Sequence, residues 1–205
     1  MLWRTGDNEI FIKVVFWGPL GSGKRTTLEQ LSGRKSILGE SLRFAPLPPK
    51  GEFDLGSNLE IIPTDRDSAE TFSFVPLRLE MPKGPNLRFL VFAVHSECNG
   101  PALAAMGDAD AFILVADSQL TAINSNLVAA KKLQALLGER QGKPCPVILQ
   151  LNKRDLPNTV TSDEFRAMLP WTMDHVESVA LSGTGVRDTI RAVIRNLNFS
   201  TAQQV

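Results

Sequence analysis

An apolar run from Glu9 to Trp17 stops at Gly18-Pro19 and is followed by Leu20-Gly21-Ser22-Gly23-Lys24-Arg25-Thr26. No other stretch limits the fold as strongly. The run is rich in Ile, Val and Phe, which predicts a buried strand. Lys24 to Leu31 predicts a helix, with Leu28 and Leu31 on one face and Gly33 ending it. Between them lies the spacing G-x-x-x-x-G-K, formed by Gly18, Gly23 and Lys24. Glycines let backbone N–H groups close on an anion, the helix start adds partial positive charge, and Lys24 adds a full one. That combination suits phosphate. Gly18, Gly21, Ser22, Gly23, Lys24, Arg25 and Thr26 are therefore the first candidate binding residues. The alternative is a glycine-rich turn that binds nothing.

One letter departs from the pattern. The residue after the lysine is normally Ser or Thr, whose hydroxyl ligates magnesium at the phosphates. Here it is Arg25, a donor with no acceptor. Two readings stay open: Arg25 sits beside the phosphates and replaces part of the metal's charge, or it points into solvent.

The rest of the chain alternates strand and helix signals. Thr71–Leu79 and Leu87–Val94 read as strands joined in a hairpin by Pro82 to Asn86. Ala111–Ala116, Val147–Leu151 and Val176–Leu181 read as further strands. Leu120, Ile123, Leu127, Ala130, Leu133 and Leu137 mark an amphipathic helix. Thr161 and Glu164 form a capping box before Phe165, and Val186, Ile190, Val193 and Leu197 line a last helix. The expectation is one α/β domain over residues 1–205. It has a mostly parallel six-stranded sheet, one antiparallel hairpin strand and helices on both faces. Residues 34–70 form a long switch-like loop region, too long for a simple connection.

Lys plus Arg and Asp plus Glu both number 22, so net charge gives no ground for binding nucleic acid or an anionic membrane. Cys98 and Cys145 have neither disulfide-framework nor zinc spacing, which suits free thiols in a reducing compartment. No leader, lipidation signal or membrane span is recognisable, so a cytoplasmic protein is expected.

A second motif, Asn152-Lys153-Arg154-Asp155, follows the Val147–Leu151 strand directly. An ionised Asp155 is acceptor-only and can take both the ring N–H and the exocyclic amine of guanine. Adenine lacks that donor pair. Lys153 can lay its methylene stem over the base. Asn152 can pin neighbouring loops and the base by hydrogen bonds. Alone the motif is weak. At the carboxyl end of a late parallel strand, with a phosphate loop after the first, it is strong.

With both motifs present, the chain resembles the Ras-superfamily small GTPases, and more narrowly the bacterial MglA type that sets polarity in gliding and twitching cells. The likeness covers most of the chain. It is carried by Trp17-Gly18-Pro19, Thr64-Asp65-Arg66, Phe74-Val75-Pro76-Leu77, Val115 to Gln119, Asn152 to Pro157, and Ala180 to Val186. The resemblance implies a P-loop NTPase fold, GTP/GDP as ligand, and partners comprising a roadblock-fold regulator and polarity or motility proteins. It adds Ala180 and Leu181 as contacts to the base, Arg66 as an in-chain arginine finger, and Glu97 near the water-positioning position. A surface role for Arg66 stays open, and Asp117 is expected to cap the helix near Leu120.

The departures cluster on the metal side. Besides Arg25, Asp67 replaces the threonine that senses magnesium, and Ala93-Val94-His95-Ser96-Glu97 replaces a Thr-Val-Pro-Gly-Gln segment. Magnesium is left in doubt. Asp67 is an alternative oxygen ligand or a solvated loop residue, and His95 is read as incidental. The sequence thus leads to a guanine-nucleotide-binding protein with weak or absent hydrolysis, a pseudo-GTPase. Alternatives are an active switch that depends on a roadblock-type partner, and an interaction domain that binds no nucleotide.

Overall fold

The computed structural model describes residues 3–5, 9–31, 44–46, 60–63, 71–79, 86–98, 106–139, 145–197 and 203–204. Five long or central strands are parallel: β2 (Glu9–Gly18), β6 (Asn86–His95), β7 (Ala111–Asp117), β8 (Val147–Asn152) and β9 (Asp174–Glu177). Their order across the sheet is β6-β2-β7-β8-β9. β5 (Thr71–Leu79) pairs antiparallel outside β6, as expected for the hairpin strand. Four short strands extend this set beyond the six expected. β3 (Phe44–Pro46) and β4 (Glu60–Pro63) pair with β5, β1 (Trp3–Thr5) pairs with β2, and β10 (Gln203–Gln204) pairs with β1. Segments this short give no readable alternation in sequence.

The described helices are α1 (Lys24–Leu31), α2 (Ile123–Gly138), α3 (Ser162–Ala167) and α4 (Val186–Asn196). Alternation along β2 divides them between two faces. Ile10, Ile12, Val14 and Phe16 pack on one side with Leu28 and Leu31 of α1 and Ile190 and Val193 of α4. Val15 and Trp17 pack on the other with Ala129, Ala130 and Leu133 of α2 and Phe165 of α3. Each fully buried Leu, Ile or Phe contributes roughly 1.5–3 kcal/mol by leaving water. The Trp17 indole also donates to Ala129 O at 2.9 Å, fixing α2 against the end of β2.

Two boundaries differ from expectation. The last strand is Asp174–Glu177 rather than Val176–Leu181. Val179 instead bridges Thr184, and Ser182 N–H and Gly183 N–H turn back onto Val179 O and Ala180 O. A tight turn therefore consumes the apolar letters Val179 to Leu181. At the start of the α2 region, Leu120–Ala122 forms a 3-10 turn before the helix proper. The capping box at Thr161 and Glu164 is present in both directions.

Strand order fixes where a ligand belongs. From β2 the chain goes first to β6 on one flank, and then to β7, β8 and β9 on the other. The order reverses at β2, and crevices beyond the carboxyl ends at such a reversal are where open α/β sheets bind ligands.

Candidate functional site

The turn that begins at Gly18 stands at this reversal. Gly18 emerges between its neighbours so tightly that a Cβ there would lie 2.2 Å from Val115 O. Gly23, at φ +99°, has the same need: a Cβ would meet Asn152 Nδ2 at 2.1 Å. Beyond Gly23, Thr27 N–H is the first of α1 to find a helical acceptor, Gly23 O, at 2.9 Å. The N–H groups of Lys24, Arg25 and Thr26 have no acceptor within the helix, the arrangement of donors that suits an anion.

Lys24 is buried beneath this turn. Its ammonium donates to Gly18 O at 2.9 Å, Pro19 O at 2.7 Å and Ser22 Oγ at 3.4 Å. Burial pulls its pKa from 10.5 to about 8, and nearby Cys98 opposes the shift. The amine thus stands desolvated in a ring of oxygen acceptors, a state that an anionic phosphate would relieve.

Asn152 ties the loops together. It is buried at the end of β8, its Nδ2 donates to Ser22 O at 2.8 Å, and its Oδ1 accepts from Ala180 N–H at 2.9 Å and Ser178 Oγ at 3.1 Å. One amide thereby joins the glycine-rich turn, the β8 loop and the β9 loop. Lys153 follows at φ +63° with its ammonium 2.7 Å from Asp117 Oδ2. Asp155 is exposed, with no hydrogen-bond or ion-pair partner among the described residues. Its carboxylate is open to a donor pair.

The remaining candidates fall in different places. Arg25 is exposed and bonds Glu29 one turn along α1, Nε to Oε1 at 3.2 Å, which supports the solvent-facing reading. Thr26 is half-buried in the first turn of α1. Leu181 is 78% exposed, and its carbonyl accepts from Gln30 Nε2 at 3.1 Å. Glu97 is exposed just past β6, on the same edge as the turn. Arg66 and Asp67 lie outside the described residues, as does most of the 34–70 region. Asp117 does not cap the helix near Leu120 as expected: the residue before Leu120–Ala122 is Gln119, with no side-chain cap, and Asp117 Oδ1 instead holds the turn after β7 by accepting from Gln119 N–H at 3.0 Å.

Three residues of the network were not picked out from sequence. Gln150, fully buried in β8, donates to Thr27 Oγ1 at 3.1 Å and Ser178 Oγ at 3.0 Å. Asn126, fully buried on α2, receives Asp117 N–H and donates to Asp117 O. Ser96 N–H donates to Gly18 O at 2.9 Å, and its own carbonyl accepts from Lys132 Nζ at 3.0 Å. The signal for Gln150 was a polar letter inside Val147-Ile148-Leu149-Gln150-Leu151. For Asn126 it was a polar letter three, four and seven residues before Ala129, Ala130 and Leu133.

The chain is 31% identical over 195 residues to the mutual gliding-motility protein MglA of Myxococcus xanthus (strain DK1622), covering 92% of this chain and 91% of that protein. It belongs to the MglA family of Ras-like small GTPases. No protein-family model matches it. Within the family pattern, the residues described here do not fit magnesium in the usual way. The hydroxyl position carries the Arg25 guanidinium, which has no lone pair to offer, and Thr27 Oγ1 is committed to Gly23 O and Gln150 Nε2. Among the described residues no group of three His, Cys, Asp or Glu side chains converges as a cation site, and no helix is long and apolar enough to cross a membrane.

Proposed function

We propose that the chain binds GTP or GDP across the carboxyl edge of the sheet and acts as a regulatory member of its family with weak or absent hydrolysis. The observation that carries this reading is the Asn152 amide, bonded at once to Ser22 O, Ala180 N–H and Ser178 Oγ. A base-reading loop and a phosphate-binding turn joined by one buried side chain suit a single ligand with a base at one end and phosphates at the other. Asp155 takes the two donors of guanine. The stem of Lys153 covers the ring. Lys24, Gly21, Ser22 and the first N–H groups of α1 receive the phosphates, with Ala180 and Leu181 beside the base. Glu97 and Arg66 remain the candidates for any residual hydrolysis.

Weak turnover follows from chemistry at Arg25. Phosphoryl transfer depends on positioning and charge stabilisation, to which the metal contributes heavily. Arg25 supplies no metal ligand and is paired with Glu29 on the outer side of α1. Family membership supports a cytoplasmic role with a roadblock-fold regulator and polarity or motility proteins as partners.

Denaturing the purified chain and chromatographing the released small molecules tests binding: guanine nucleotide is expected, at up to one per chain. Single-turnover GTP hydrolysis, with and without magnesium and a roadblock-fold protein, tests the regulatory reading. Robust magnesium-dependent turnover would show an active switch instead. Absence of nucleotide, together with failure to bind added GDP, would leave an interaction domain.

A further inference from the structure

The geometry points to Asp117 as a positioning residue for base recognition, anchoring the Lys153 head so that its stem lies over the ring. The inference rests on the guanine-nucleotide reading above. Lys153 is one of two non-glycine residues with positive φ among those described, at +63°. A residue with a Cβ enters that region only when its surroundings hold it there. Here the hold combines backbone bonds, Leu156 N–H to Lys153 O and Arg154 N–H to Ser178 O, with an ion pair, Nζ to Asp117 Oδ2 at 2.7 Å, whose two side chains are 30% and 12% exposed.

Asp117 is itself fixed from three directions. Its Oδ1 accepts from Gln119 N–H at 3.0 Å. Its backbone N–H donates to Asn126 Oδ1 at 3.1 Å, and its carbonyl accepts from Asn126 Nδ2 at 2.8 Å. The next residue, Ser118, donates its N–H to Asn152 O at 2.9 Å. The β7 and β8 loops are therefore joined in two ways: by hydrogen bonds from Ser118 N–H and Oγ to Asn152 O, from Leu120 N–H to Asn158 O and from Val160 N–H to Ser118 O, and by the Asp117–Lys153 pair. Asn126 transmits the rigidity of α2 to that second joint.

The chemistry follows from what the pairing leaves available. A lysine head is a flexible point charge whose ordering costs rotamer entropy. Paired with Asp117, the head is already ordered and neutralised before any ligand arrives. The methylene stem then serves as an apolar platform for a flat ring. Asp155 selects the ring edge, and Asp117, which need not touch the ligand, sets the floor.

The test uses release of a fluorescent GDP analogue from the full chain. Asp117→Asn keeps an acceptor for Gln119 N–H and removes the charge. Lys153→Met keeps a stem of similar length and removes the head. Each is expected to quicken release about tenfold, because losing one partner of a charge pair acts mainly on dissociation. The double variant should match the single variants rather than reach about a hundredfold, since the two residues act through one contact. Unchanged release in Lys153→Met, or multiplied effects in the double variant, overturns the inference alone. A wild-type chain that retains no GDP overturns the guanine reading, and this one with it.

Discussion

Raising the pH discharges Lys24 in the free protein without altering a single residue. Burial beneath its own turn brings the amine to about pKa 8, with Cys98 resisting the fall. About a tenth of it is then unprotonated at pH 7 and about nine-tenths at pH 9. A bound diphosphate sets negative charge against the amine and restores the proton. GDP binding should therefore take up close to one proton at pH 9 and about a tenth of one at pH 7, and affinity should fall about tenfold per pH unit above 8. The free fold responds the opposite way. Between pH 8 and 10.5 the unfolded chain holds a proton on this lysine that the folded chain has lost. Stability from this group therefore rises through that window, by up to about 3 kcal/mol. Calorimetry of GDP binding at pH 9, in two buffers with different ionisation enthalpies, gives the proton count directly. The Lys24→Met variant should lose most of the uptake. A wild-type count near zero at pH 9, or the same count in Lys24→Met, would refute the reasoning.

Asn152→Ala leaves Ala180 N–H and Ser22 O without their side-chain partner; urea unfolding should show a loss of about 2–3 kcal/mol, with weaker GDP binding. Arg25→Thr removes only an exposed pair with Glu29, so stability should move by no more than about 0.5 kcal/mol. The new hydroxyl should add magnesium-dependent GDP affinity, measured by titration with and without the metal, and a fall in affinity would mean Arg25 already touches phosphate. Thr161→Ala opens the capping box of α3 and should cost about 1 kcal/mol in thermal unfolding while leaving GDP release unchanged.

The fold was legible wherever periodicity was long. β2, α1, β5 and the capping box stand where apolar spacing and cap chemistry put them. The last strand slipped because Val179 and Leu181 are apolar for reasons of the turn, which no alternation rule detects. The candidate site was legible as two motifs and not as one network. That Asn152 reaches Ser22, 130 positions away, depends on β2 and β8 flanking β7, which spacing within a motif does not encode. The same applies to Asp117: a helix-start carboxylate reads as a cap from its neighbours, while its bond to Lys153 arises only when β7 and β8 lie side by side.

β2 has a consequence for how the site can move. From Val14 to Trp17 it is paired on both edges and covered on both faces, with these residues almost wholly out of solvent. Backbone amides in such a strand exchange with water only when the whole molecule unfolds. The glycine-rich turn grows directly from this strand, so its root shares the stability of the entire fold. Loosening of the site during ligand exchange is therefore confined to what lies beyond Gly18: the turn itself, the first turn of α1, and the loops that Asn152 holds together.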